Sequence, residues 1–241
     1  MGRFDKLIIN GNPRSPIAEA YRTLRTNLQY AAFDSSLKSI IVTSCEPGAG
    51  KSLTAANLAI TIAQSNKKVL LMDCDLRKPM VKNTFRIMNP RGLTNILAEG
   101  LDYREVVNST KVDNLDVIVS GPKPPNPSEI LGSSRMEEFL NEVIYDYDMV
   151  ILDTPPILAV TDATVLSRFV DGLIVVLRYG QTTFEAAEIV KRQLEKVGAN
   201  VLGAVINDVP VTDDTHYYSY YDYYDESTTT TSRKDRRRVH V

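Results

Sequence analysis

A β-rich apolar run, Ser39-Ile40-Ile41-Val42-Thr43, breaks into the turn Ser44-Cys45-Glu46-Pro47-Gly48-Ala49-Gly50-Lys51-Ser52, and a helical pattern follows from Leu53 to Gln64. A strand that feeds a helix through a short turn is the first half of a βαβ unit, which requires a parallel sheet with helices on its faces. The rest of the chain repeats the theme. Apolar runs recur at Val69–Met72, Leu115–Val119, Met149–Leu152, Leu173–Leu177 and Val201–Ile206. Most are nearly continuous in hydrophobicity, as strands covered on both faces must be. The segment after the turn places Ala55, Leu58, Ala59 and Ile62 on one helical face, and Phe184–Val197 does the same with Ala187, Val190, Leu194 and Val197. This alternation predicts an α/β three-layer sandwich with a mainly parallel central sheet over residues 36–209.

Two segments flank that domain. Within residues 1–35, Ile17–Ala32 reads as a helix with Ile17, Ala20, Tyr21, Leu24, Leu28 and Ala31 on one side and Glu19, Arg22 and Arg25 on the adjacent flank. From residue 210 to 241 aliphatic residues nearly vanish, so this part reads as a flexible tail. The tail holds the stretch HYYSYYDYYDES, with Tyr217, Tyr218, Tyr220, Tyr221, Tyr223 and Tyr224 and no aliphatic partner to bury their rings. From residue 212 to 227 every charged residue is acidic: Asp213, Asp214, Asp222, Asp225 and Glu226. A basic end follows, Arg233, Lys234, Arg236, Arg237 and Arg238, interrupted by Asp235.

The turn after the first strand has the context of a phosphate cradle, and the fold is therefore expected to be P-loop NTPase-like. Glycines let backbone N–H groups approach a phosphate closely, and the helix N-terminus favours negative charge. The nucleotide-binding set is Pro47, Gly48, Ala49, Gly50, Lys51, Ser52 and Leu53, with Lys51 against the β- and γ-phosphates and the Ser52 hydroxyl on Mg²⁺. Cys45 stands where the common G-x-x-x-x-G-K-[ST] pattern has its first glycine. Two other strands end in carboxylates: Leu70-Leu71-Met72 runs into Asp73-Cys74-Asp75, and Val150-Ile151-Leu152 into Asp153. Ligands bind beyond the carboxyl ends of strands in open parallel sheets, so these aspartates should face Lys51. Asp153 suits a Walker B carboxylate that holds Mg²⁺ directly or through water. Asp73 and Asp75 are placed to serve metal and phosphoryl acceptor together. Singly, each aspartate also reads as a helix cap or turn residue; beside Lys51 they imply ATP or GTP with Mg²⁺.

Composition narrows the classes. An apolar fraction of 43% and a charged fraction of 24% suit a globular protein, and a net charge of −2 offers no global field for nucleic acid. Two cysteines make no disulfide framework, which suits a reducing cytosol. No apolar run approaches a membrane span and no signal-peptide core is visible, so a cytoplasmic location is expected.

The motifs jointly resemble the bacterial tyrosine kinases of polysaccharide synthesis, P-loop enzymes unrelated to eukaryotic kinases. "SCEPGAGKS" is similar to their Walker A, "LLMDCDLRKP" to their second acidic motif, "VILDTPP" to their Walker B, and Gly121–Glu129 to their GPxPPNPxE segment. Glu19, Arg22 and Arg25 fit their E-x-x-R-x-x-R oligomerisation helix. The resemblance implies an ATP-dependent protein-tyrosine kinase that autophosphorylates its C-terminal tyrosine cluster in trans and regulates capsular or exopolysaccharide synthesis. Lys51, Asp73, Asp75 and Asp153 would form the catalytic set, with Asp73 polarising the tyrosine hydroxyl and Ser52, Asp75 and Asp153 on Mg²⁺. By resemblance to related ATPases, Asn207 would contact adenine. The implied partners are further copies in an octamer-like ring, a transmembrane adaptor and a tyrosine phosphatase, with no nucleic acid. The kinase would then lie peripherally at the inner face of the cell membrane.

Two other readings compete. A partitioning-type ATPase switch would carry a lysine five residues before Lys51, where this chain has Glu46, and would lack the tyrosine cluster. A non-catalytic scaffold with a stacking tail would not need Lys51, Ser52, Asp73 and Asp153 together. On sequence alone Lys51 serves only the phosphates, so Lys51→Met is expected to remove activity and leave the fold intact.

Overall fold

The computed structural model of the protein describes residues 7–8, 15–31 and 37–210. Among the described residues seven strands form one sheet: β1 (Ser39–Ser44), β2 (Val69–Asp73), β3 (Asn108–Ser109), β4 (Leu115–Ile118), β5 (Met149–Asp153), β6 (Gly172–Arg178) and β7 (Val201–Asn207). Their order is β3-β4-β2-β5-β1-β6-β7. Every pairing is parallel except that of β3 with β4. The mainly parallel sandwich expected from the sequence is therefore present. β3 was not foreseen: two half-buried and exposed polar residues carry no periodicity, and their conformation comes from pairing with β4.

The continuous hydrophobicity of the strands has a direct cause. Ile41, Leu70, Met72, Val150, Leu152, Leu173 and Val175 enter one core, while Ile40, Val42, Val69, Leu71, Ile151, Ile174 and Val176 enter another. Successive side chains point to opposite faces, and both faces are covered. The first core is closed by α4 (Leu93–Glu99), α5 (Pro127–Leu131), α6 (Ser134–Asp146), α7 (Asp162–Leu166) and α8 (Phe184–Lys196). The second is closed by α1 (Pro16–Ala31), α2 (Lys51–Ala63) and α3 (Val81–Phe85). α6 shows how a helix is written here: Ser133 caps it by accepting from the Met136 N–H, and Met136, Phe139, Leu140 and Val143 are its buried stripe.

α1 forms where expected but turns a different face inward. Ile17 is 62% exposed, and Ala20 and Ala31 are exposed too. Ala18 and Leu28 are buried, Tyr21, Leu24 and Arg25 are half-buried, and the Tyr21 hydroxyl reaches Asn57 and Thr54 of α2. The reason is the partner: α1 packs on a single helix, which selects a narrow seam at positions 18, 21, 25 and 28, not the broad stripe that a sheet would cover. The compact unit containing the sheet runs to Asp208. The tyrosine cluster Tyr217–Tyr224 and the basic end lie outside the described residues.

Candidate active site

The parallel order dictates where chemistry gathers. β1, β5 and β2 are neighbours, in register, and all point their carboxyl ends the same way. The glycine turn leaves β1, Asp153 ends β5, and Asp73 ends β2 directly beside Asp153. Around them lies a cleft of about 460 Å³, bounded by Gly48, Gly50, Lys51 and Ser52 on one side and by Asp75, Arg77, Lys78 and Met80 on the other.

The turn is held open by two glycines in the left-handed region, Gly48 at φ 85° and Gly50 at φ 93°. Gly50 ends the turn as the N-cap of α2, so the first N–H groups of that helix face the cleft. A side chain at Gly50 would also collide with Asn207: a Cβ there would lie 2.0 Å from its Nδ2. Asn207 ends β7 and donates from Nδ2 to the Ala49 carbonyl at 2.9 Å, fastening the last strand to the turn. Cys45, the departure from the glycine pattern, is fully buried in the apolar core. Its carbonyl accepts from Leu158 N at 3.2 Å, and burial pushes its thiol up to about 11, which leaves it unreactive.

Lys51 is the electrostatic centre. Its ammonium lies 3.0 Å from Asp75 Oδ2 and 3.2 Å from both Asp153 Oδ1 and the Ser52 hydroxyl. Burial works against that charge, but Asp153 and Asp75 outweigh it and raise the lysine's pKa. Asp153 is fully buried and its carboxyl is raised, chiefly by desolvation. Asp73 is pushed up to about 8 by burial and by the neighbouring Asp153. Asp75 and Asp153 thus share one lysine with Asp73 close behind them, an arrangement short of positive charge that favours a cation.

The two aspartates of the D-x-D-x-R motif part company. Both oxygens of Asp73 accept backbone N–H bonds, Oδ1 from Asp75 (3.3 Å) and Oδ2 from Met80 and Val81 (2.9 Å each), so it pins the start of α3. Asp75 lines the cleft, with Oδ2 on Lys51 and Oδ1 accepting from Lys78 N at 2.9 Å. Arg77 of the same motif forms a two-pronged pair with Asp162, Nε and Nη2 each 3.0 Å from a carboxylate oxygen. Ser128, from the Gly121–Glu129 segment, bonds to both partners. This clamp ties three separate segments together beside Asp75. Asp162 was not legible in the sequence, because one aspartate at a helix start carries no signal until its partner is placed.

The donor set fits Mg²⁺. Asp153 Oδ2 is buried without a hydrogen-bond partner, and such an oxygen needs a cation or an ordered water. Among the described residues no three carboxylate, histidine or cysteine side chains converge as a ready-made metal cage. Mg²⁺ beside a nucleotide takes most of its ligands from water and phosphate, so one or two carboxylates and a hydroxyl suffice. On α1, Glu19 and Arg22 pair at 2.6 Å on the half-exposed side. Arg25 turns inward instead, donating from Nη1 to the Thr61 carbonyl of α2 at 3.0 Å.

Comparison with known proteins adds to this geometry. An AAA domain family model matches residues 37–205. The tyrosine-protein kinase YwqD of Bacillus subtilis is 45% identical over 85% of this chain and 86% of its own length. The tyrosine-protein kinase etk of Escherichia coli is 38% identical over 86% of this chain but 28% of its own length. Among solved structures, the chimerical protein CapA2B2 superposes with a TM-score of 0.82 at 39% identity, covering 88% of this chain and 93% of that one.

Proposed function

The chain belongs to the bacterial tyrosine-protein kinases, and from that premise we propose that it transfers the γ-phosphoryl group of ATP to its own C-terminal tyrosines. The acceptors are Tyr217, Tyr218, Tyr220, Tyr221, Tyr223 and Tyr224 of a neighbouring copy, and the outcome is control of capsular or exopolysaccharide synthesis. The observation that carries this reading is the convergence of Asp75 and the buried Asp153 on Lys51 at a glycine-turn cleft, in a chain that also carries a tyrosine cluster.

The chemistry asks for alignment and charge neutralisation more than for a strong base. The tyrosine oxygen bonds to the γ-phosphorus as the β–γ bridging oxygen leaves, and the hydroxyl proton passes to a carboxylate. Pro47 to Leu53 would hold the phosphates, with Lys51 swinging from its carboxylates onto the β- and γ-oxygens. Ser52, Asp153 and Asp75 are the residues that would hold Mg²⁺, which would supply positive charge to offset that of the phosphates. Asp73 is assigned to the tyrosine proton because burial raises its carboxyl to about 8, which suits proton transfer near neutral pH. Asp75 has the better access to the cleft, so Asp73 meets a hydroxyl only when the Met80–Val81 amides give way. Asn207, at the cleft edge, is assigned to the adenine.

A neighbouring copy must deliver the acceptor. The exposed flank of α1, with Glu19 and Arg22, is proposed as a ring contact, and Arg25 as the residue that fixes α1 against α2. Among the described residues no helix is long and apolar enough to cross a membrane. Recruitment to the inner membrane face is assigned to a transmembrane adaptor, as in the split form of the family, and resetting to a tyrosine phosphatase. Replacing the six clustered tyrosines by phenylalanine is expected to remove most phosphotyrosine while ATP binding persists. Strong residual labelling in that variant would show that the cluster is not the main acceptor.

A further inference from the structure

Beyond the cleft, the carboxyl edge of the sheet is strongly basic. From residue 76 to 98 the chain contains Arg77, Lys78, Lys82, Arg86 and Arg91 and no acidic residue. Arg77 and Lys78 line the cleft. Lys82 lies one turn on, within α3. Arg91 precedes Gly92, which packs against the end of β4 so closely that a Cβ there would lie 2.6 Å from Gly121 N. Lys123 follows two residues beyond Gly121. β4 is the neighbour of β2, so Arg91 and Lys123 belong to the end of the strand next outward from the one that ends in Asp73, and Lys78 and Lys82 to the connection that leaves Asp73 itself.

Their charges are poorly matched within the protein. Arg77 is committed to Asp162. Among the described residues, Lys78, Lys82, Arg91 and Lys123 have no carboxylate within ion-pair distance. Lys78, Arg91 and Lys123 are exposed and Lys82 is half-buried. The nearest acids in sequence have other partners: Asp75 accepts from Lys51 at 3.0 Å, Glu99 from Asn95 at 2.8 Å and Glu129 from Asn126 at 2.9 Å. Several like charges on one strip beside a carboxylate-lined site set up two opposite fields a short distance apart.

We propose that this strip, Lys78, Lys82, Arg91 and Lys123, is the docking surface for an acidic tyrosine-bearing segment, namely residues 212–227 of a second copy. The inference rests on the autophosphorylation reading above. The segment's charged residues are all acidic: Asp213, Asp214, Asp225 and Glu226 flank the six tyrosines on both sides, and Asp222 stands among them. A tyrosine presented to Asp73, Asp75 and Asp153 brings these acids towards a negative site. The strip removes that conflict by taking the flanking acids onto lysine and arginine while the uncharged tyrosine enters the cleft. It also lets one docked segment offer successive tyrosines to the same carboxylates.

The test uses the full chain and two fluorescent peptides. One has the sequence of residues 212–227; the other has its five acids replaced by Asn and Gln. Binding is read by anisotropy at low and high salt, and phosphorylation of the same peptides is read in parallel with Mg-ATP. We expect the acidic peptide to bind about tenfold more tightly than the neutral one at low salt, with the preference eroded at high salt. Lys82→Glu with Arg91→Glu should abolish the preference, raise KM for the acidic peptide and leave kcat unchanged; Lys82→Ala with Arg91→Ala serves if the reversal fails to fold. Equal binding of the two peptides, or a preference that survives the substitutions, overturns the docking surface. Binding with charge preference but no phosphorylation of either peptide leaves the surface standing and removes the acceptor reading instead. If the substitutions abolish binding to phosphatidylserine vesicles and leave peptide binding unchanged, the strip belongs to lipid and the proposal fails.

Discussion

Lys51→Met tests whether the phosphate-loop lysine also holds the carboxylates of the site together. In the structure its ammonium is a counter-charge for Asp75 and Asp153, with side-chain exposures of 11%, 6% and 0%. Taking one partner from a buried pair costs about 3–5 kcal/mol, because a desolvated charge is left uncompensated. Here the carboxylates have a way out, which is to take up protons. A carboxyl whose folded pKa lies above its unfolded value favours folding below the unfolded pKa and loses that contribution as pH rises through the folded pKa. Asp73, pushed up to about 8, therefore makes the cation-free protein less stable from about pH 4 to pH 8. Removing Lys51 raises the carboxyls further and extends the decline past pH 8. The variant should lose about 2 kcal/mol at pH 6 and about 3–4 kcal/mol at pH 8.5. Millimolar Mg²⁺ should restore much of the loss by replacing one cation with another. Urea denaturation at both pH values, with and without Mg²⁺, gives the four numbers. Equal stability of wild type and variant at pH 8.5 would refute the argument and return Lys51 to a role on the phosphates alone.

Two further substitutions probe the frame around the cleft. Gly50→Ala should destabilise by about 1–2 kcal/mol, since φ 93° is strained for alanine and its Cβ meets Asn207 at 2.0 Å. Nucleotide affinity should fall with it; titration with a fluorescent ATP analogue showing unchanged affinity would contradict the packing argument. Asp162→Asn should cost about 1–3 kcal/mol, less than a fully buried pair because the Arg77 side chain is 35% exposed. Measured against Arg77→Gln and the double variant, the two changes should be strongly non-additive; simple additivity would mean that the clamp does not couple them.

Much of this was legible because the determinants are local. The turn from Ser44 to Ser52 declares itself by residue type, and the strand ends at Asp73 and Asp153 declare themselves by an apolar run stopping at a carboxylate. Parallel connections send the carboxyl ends of these strands to one edge, so the gathering of Lys51 and the aspartates was legible, whereas the order that sets β2 beside β5 was not. What escaped was pairwise. Arg25 looked like part of an outward flank, yet it faces α2 because α1 lies on one helix. Asp73 and Asp75 looked alike two residues apart; the chain turns after β2 and sends one to the α3 amides and the other to Lys51. The Arg77–Asp162–Ser128 clamp joins residues up to 85 positions apart, and spacing carries no trace of such a contact.

The central claim is that this site phosphorylates the chain's own tyrosine cluster. Intact-mass spectrometry after incubation with Mg-ATP, with Lys51→Met as control and with the cytoplasmic segment of a membrane adaptor added or withheld, tests it most directly. The account predicts several phosphoryl-sized increments that map to Tyr217–Tyr224 and are absent from the Lys51 variant. ATP turnover with the adaptor segment present and no added mass would contradict it, and would make the chain a nucleotide-driven switch.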